Sequence, residues 1–170
     1  MTWRHLVVLV VVLAIAGQWL VHSPAESEMA FPMPTGKVYV QECGSCHTAF
    51  APGLLPARSW QRMMGELSDH YGEDASLDEP HHLAILKELE TLAADGSYAD
   101  MRMRRIAAAI PTGSQPQRIT ETAYFKHLHD EVPADLWKRK GIAAVSNCLA
   151  CHPRANAGHY GERELRVPGV

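Results

Sequence analysis

All four cysteines of the chain fall in two pentapeptides, Cys43-Gly44-Ser45-Cys46-His47 and Cys148-Leu149-Ala150-Cys151-His152. Cys-x-x-Cys-His is the attachment signature of c-type haem. Two thiols three positions apart can each form a thioether with a different vinyl group on one porphyrin edge. The next residue, a histidine, is then left under the iron as its proximal ligand. The pattern predicts two covalently bound haem c groups, with Cys43, Cys46, Cys148 and Cys151 holding the porphyrins and His47 and His152 on the irons. Covalent attachment fixes a large apolar disc to a short stretch of chain, so the haem itself becomes core.

Three other readings compete for the same residues. A redox dithiol expects one Cys-x-x-Cys pair at a strand-to-helix turn in a βαβ pattern, which this sequence lacks. Two pairs could share one zinc, but Cys46 and Cys148 lie about a hundred residues apart and both trailing histidines would be coincidental. Disulfides closed over two residues would staple little.

The sixth iron ligand decides whether a haem passes electrons or binds small molecules. Candidates are His70, His81, His82, His127, His129 and His159, with Met63, Met64, Met101 and Met103 as thioether alternatives. Methionine would raise the potential and a second histidine would lower it. His70 is close to the first motif and shares a three-to-four spacing with Trp60, Met63 and Leu67, which predicts a buried helical stripe. His81 and His82 fall in a helix first turn and read as solvated surface, while Met63 and Met64 read as core filling. For the second haem, His127 and His129 flank Leu128 symmetrically, and helical period does not choose between them.

The elements that must carry these residues read as mostly α, with no alternating strand pattern. A Pro-rich linker leads to a segment Lys37 to Glu42 that presents the first motif. Ser59 reads as the N-cap of a helix to about His70 or Tyr71, with Gly72 as its stop. A second helix starts near Asp78 or Glu79, carries Leu83, Leu86, Leu89 and Ala93, and stops at Gly96. A third spans Tyr98 to Ala109, ahead of Pro111. Thr120 reads as the cap of a short helix through Tyr124, Phe125, Leu128 and His129, and Pro133 as the start of another through Leu136 and Trp137. The expected organisation is an export signal or membrane anchor over residues 1–25, a linker over 26–35, and two small helical c-type haem domains packed together, 36–96 and 97–170.

Arg4 and His5 precede an apolar run from Leu6 to Ala16 that continues weakly to Val21, the pattern of an export signal. The protein is thus expected in the periplasm, soluble after cleavage or anchored to the inner membrane by this segment. The net charge of −3 is uneven. Residues 36–95 carry four Lys/Arg against ten Asp/Glu, and residues 96–170 carry eleven against seven. Such a dipole can orient a protein partner. The basic residues are dispersed, which argues against a nucleic-acid partner.

Four stretches then resemble a known family, the small periplasmic dihaem cytochromes c (DHC): Glu42 to Trp60 (ECGSCHTAFAPGLLPARSW), Leu67 to Leu77 (LSDHYGEDASL), Arg118 to Phe125 (RITETAYF) with the histidine that follows, and Asn147 to Pro168. The resemblance implies an electron carrier with two bis-histidine haems, one in each of two small helical domains. It implies His70 as the first distal ligand, from the Asp69-His70-Tyr71-Gly72 stretch, and His129 as the second, four residues after Phe125 and ahead of Asp130-Glu131-Val132. His127 is an additional histidine in this chain. The partners it implies are redox proteins: a small monohaem cytochrome with an open, oxygen-binding site, and membrane cytochromes b.

The function expected is electron transfer between redox partners, without catalysis. Two rivals remain. One is a small haem enzyme or ligand-binding protein with one open iron, for which no distal acid/base constellation is evident. The other is the dihaem subunit of a periplasmic nitrate reductase, against which LLPARSW and RITET argue.

Overall fold

The computed structural model describes residues 29–169. The export signal or anchor expected over residues 1–25 lies outside the described residues. Regular structure among the described residues is helical: α1 (Lys37–Cys43), α2 (Ala57–Gly65), α3 (Glu79–Leu92), α4 (Met101–Ala108) and α5 (Ala123–Leu128). Short 3-10 turns and loops join them, and β-structure among these residues is limited to two isolated bridges, Ala30 with His159 and His70 with Glu73.

The longest helix among the described residues, α3, has the start its sequence announces. The Asp78 carboxylate accepts from the His81 backbone N–H at 2.9 Å, and Pro80 sits in the first turn where its missing N–H costs nothing. Ile85 and Leu89 on its inner face meet Trp60 and Met64 of α2 and Tyr39 of α1 in one buried cluster. The Trp60 indole N–H, buried with its ring, donates to the Pro52 carbonyl at 2.8 Å. Leu83, grouped with the apolar positions of α3 in the sequence, faces outward and is 57 % exposed. A second cluster joins Phe31, Ala51, Leu54, Ala94, Ala99, Met103 and Ile106. It seats α4 on residues 51–54, and Arg58 donates to the carbonyls of Ile110 and Ser114 at 3.1 and 2.7 Å.

Several expected boundaries differ, among them the start of α4, which begins at Met101 behind an Asp100 cap and not at Tyr98. Ser59 is not a cap: it is buried inside α2, which begins two residues earlier because the Asp95 carboxylate, 38 positions away, accepts from the Ala57 N–H at 2.7 Å. The helix ends at Gly65, so His70 is not on its stripe but in a turn beyond a 3-10 segment, Leu67–Asp69. The cap of α5 is Thr122 and not Thr120, with its hydroxyl accepting from Phe125 N–H at 3.2 Å. The segment after Pro133 forms only a 3-10 turn, Leu136–Lys138.

An N-terminal strap ties the end of the chain to the second cluster. Phe31 N–H donates to the Gly158 carbonyl at 2.9 Å, Tyr160 N–H to that of Met29 at 2.7 Å, and the Phe31 and Tyr160 rings meet edge-on at 5.8 Å. Gly158 has φ +80°, and a Cβ there would lie 2.2 Å from the Phe31 carbonyl oxygen. Beyond residue 122 the buried apolar side chains are few, Leu136, Ile142 and Ala155, and the backbone is mostly single turns.

Candidate functional site

His47 follows α1 and its C-terminal Cys43. Its Nδ1 lies 2.8 Å from the Thr48 carbonyl and its ring stacks on Phe50 at 5.1 Å and 27°. Across from it stands His70. The turn that presents His70 is built from a mutual backbone bridge to Glu73, from Tyr71 at φ +57° and Gly72 at φ +96°, and from the Asp69 carboxylate accepting from Gly72 N–H at 3.1 Å. Tyr71 is held in its left-handed conformation from outside: its hydroxyl donates to the Gln117 carbonyl at 3.0 Å and the Arg118 guanidinium lies 4.0 Å over its ring. The His47 and His70 ring centres are 6.1 Å apart, with planes 28° from parallel.

The second motif repeats this separation on different scaffolding. His152 N–H donates to the Cys148 carbonyl at 2.7 Å, and Arg166 N–H to that of Cys151 at 2.9 Å. His129 lies one residue past the end of α5, and its Nδ1 is 2.9 Å from the Phe125 carbonyl. Phe125 also stacks on the His129 ring at 4.0 Å and 18°, and Trp137 stands 5.9 Å away. His129 and His152 ring centres are 6.2 Å apart, with planes crossing at 79°. Tyr160 borders His152 at 5.6 Å.

These separations fit one metal ion between each pair. An imidazole nitrogen sits about 2 Å from a first-row metal and roughly 1 Å from its ring centre, so two rings sharing an ion have centres about 6 Å apart. With Nδ1 of His47 and His129 engaged as donors to carbonyls, Nε2 is left as the lone-pair atom. Burial, then the neighbouring His47, lowers the pKa of His70; burial, then His129, lowers that of His152. Both shifts favour the neutral imidazole that ligates a metal.

The thiols do not resemble a redox dithiol. Burial, aided by Glu42, pushes Cys43 up to about 11, and burial pushes Cys148 up to about 11. Reactive pairs are shifted downward instead. No disulfide joins the four cysteines, and among the described residues no group of three or more His, Cys, Asp or Glu is placed to share one metal ion. Apolar side chains beside or within the motifs, Val40, Leu128 and Leu149, are 50, 46 and 39 % exposed.

The other sixth-ligand candidates lie elsewhere. Met64 and Met103 are buried in the two clusters, Met63 packs against the first, and Met101 is exposed. His81 Nδ1 approaches Glu42 and Asp78 at 3.3 and 3.6 Å. His82, expected on the solvated surface, is instead partly buried with Nε2 3.0 Å from the Met64 carbonyl. His159 Nε2 lies 3.0 Å from the Arg154 guanidinium. The His127 side chain is 82 % exposed, 3.7 Å from Asp130. Sequence reasoning missed the rings that hold the histidines. Phe125 was visible as an i, i+4 neighbour of His129, whereas Tyr160 reaches His152 only through tertiary structure.

The family described as dihaem cytochrome c matches residues 39–160. The chain belongs to this family. It is 39 % identical to a diheme cytochrome c from Rhodobacter sphaeroides, with a TM-score of 0.65, over 74 % of this chain and 97 % of that one. A diheme cytochrome type c from Shewanella baltica OS155 is 32 % identical with a TM-score of 0.64, over 81 % of this chain and 97 % of that one. No curated protein sequence matches. Membership makes the protein an electron-transfer cytochrome with two covalently bound haem c groups, in a family whose members are generally carriers and not enzymes. No helix among the described residues is long and apolar enough to cross a membrane.

Proposed function

We propose that this dihaem cytochrome carries electrons through two six-coordinate haems, one held between His47 and His70 and the other between His129 and His152, without making or breaking bonds in a substrate. The observation that carries this reading is the matched separation of the two histidine pairs, 6.1 and 6.2 Å. A bound haem c supplies a one-electron ferric/ferrous couple at each position. Cys43 and Cys46 anchor one porphyrin, and Cys148 and Cys151 the other. Thr48 and Phe125 carbonyls hold the protons of His47 and His129 at Nδ1, which fixes the tautomer and keeps each ring aimed. Filled sixth positions leave an incoming peroxide or gas no open face. Two imidazoles also set a lower potential than a histidine and a methionine would.

The export signal or membrane anchor expected over residues 1–25 argues for work in the periplasm, where haem c is attached in bacteria. Partners are redox proteins, with a monohaem oxygen-binding cytochrome and a membrane cytochrome b as the leading candidates. The acidic first half and basic second half would orient them. A potentiometric titration with a peroxide assay on the same preparation tests the proposal. It predicts uptake of two electrons per chain and no peroxide turnover; sustained peroxide turnover by purified protein would refute it.

A further inference from the structure

The two histidine pairs match in separation but not in orientation. His47 and His70 lie 28° from parallel, whereas His129 and His152 cross at 79°. In each pair one ring has its plane fixed twice. At the first site this is His47, bonded at Nδ1 to the Thr48 carbonyl and stacked on Phe50. At the second it is His129, and one residue does both jobs: the Phe125 carbonyl takes the Nδ1 proton at 2.9 Å, and the Phe125 ring lies 4.0 Å from the imidazole at 18°. A ring held by a hydrogen bond on its edge and an aromatic ring on its face cannot turn about its metal-facing nitrogen without losing both contacts.

We propose that Phe125 is a positioning residue that holds the His129 imidazole across the plane of His152, so that the second iron has crossed ligand planes and the first nearly parallel ones. The proposal rests on the two-imidazole ligation above. An imidazole donates π density only perpendicular to its ring. Parallel rings raise the same iron d orbital and split it from its partner; crossed rings raise one orbital each and leave the pair nearly degenerate. A low-spin ferric ion has its single hole in that pair. Near-degeneracy lets orbital motion add to the spin moment along the ligand axis, which moves the largest g value upward.

Low-temperature electron paramagnetic resonance of the oxidised holoprotein reads this directly. The expected spectrum holds two low-spin signals, one of ordinary rhombic shape and one with a clearly larger maximum g. In Phe125→Leu, which keeps the carbonyl but loses the stacked ring, the large-g signal moves toward the other or broadens. In Phe125→Tyr, which keeps the ring, it stays. The wild-type spectrum alone tests the difference in twist should Phe125→Leu fail to fold. Two superimposable rhombic signals would overturn the proposal, and a large-g signal unchanged in Phe125→Leu would overturn the role of Phe125. A high-spin ferric signal from one iron would overturn the two-imidazole reading itself, a distinct failure that takes the proposal with it.

Discussion

His127 and His129 stand two positions apart, and helical period alone places them symmetrically about Leu128. The structure differentiates them by surroundings. α5 stops at Leu128, so His129 leaves the helix with φ −122° and turns toward His152, while His127 stays on the solvent side. Removal of each side chain should therefore have unequal results. In His129→Ala one iron loses its sixth ligand, and the reduced protein should bind carbon monoxide at half of its haem. His127→Ala should bind none, as should wild type; the absorption spectra decide it. At this scale the two haem-attachment motifs are legible, because thioether attachment is local chemistry written in five residues. The proposed distal histidines are legible only in part. His70 was expected on a helical stripe, but the helix ends at Gly65, and a bridge to Glu73 with two left-handed residues presents it instead.

Some elements with sequence-local caps are legible in the sequence, although α5, capped by Thr122 and not Thr120, is not. α3 is legible: Asp78 satisfies an N–H that would otherwise be orphaned, and Asp78→Ala should cost about 1 kcal/mol in denaturant unfolding without moving the haem spectrum. The start of α2 was illegible because its cap, Asp95, comes from 38 residues away. Distant contacts also govern the strap, where Gly158 combines a left-handed φ with close approach to Phe31. Gly158→Ala should destabilise the protein by more than the about 1–2 kcal/mol of backbone strain alone, since the Phe31 carbonyl must also move. Hydrogen exchange at the Phe31 and Tyr160 amides should speed up first. Unchanged exchange there would show that the strap is not held by this contact.

Across the whole molecule, protein-only core is unevenly shared. The fully buried members of both apolar clusters precede residue 111, whereas among the described residues after 122 the buried apolar side chains are Leu136, Ile142 and Ala155. A small unit with so little core needs another source of apolar area, and a covalent porphyrin supplies it. Cys148→Ala/Cys151→Ala, which cannot attach the second haem, should lose amide protection over residues 123–166 while α2 and α3 stay protected. Equal protection throughout would show that the second half holds together without its haem. The charge division between halves is readable from composition, but the packing of α4 onto residues 51–54 is not, because nothing in α4 itself says which surface it meets.

Carbon monoxide added to the fully reduced protein asks whether either iron has an open face. With His47 and His70 on one iron and His129 and His152 on the other, the visible spectrum should be unchanged at gas saturation. A carbonyl-haem spectrum amounting to one or both haems per chain would contradict the pairing of these four histidines.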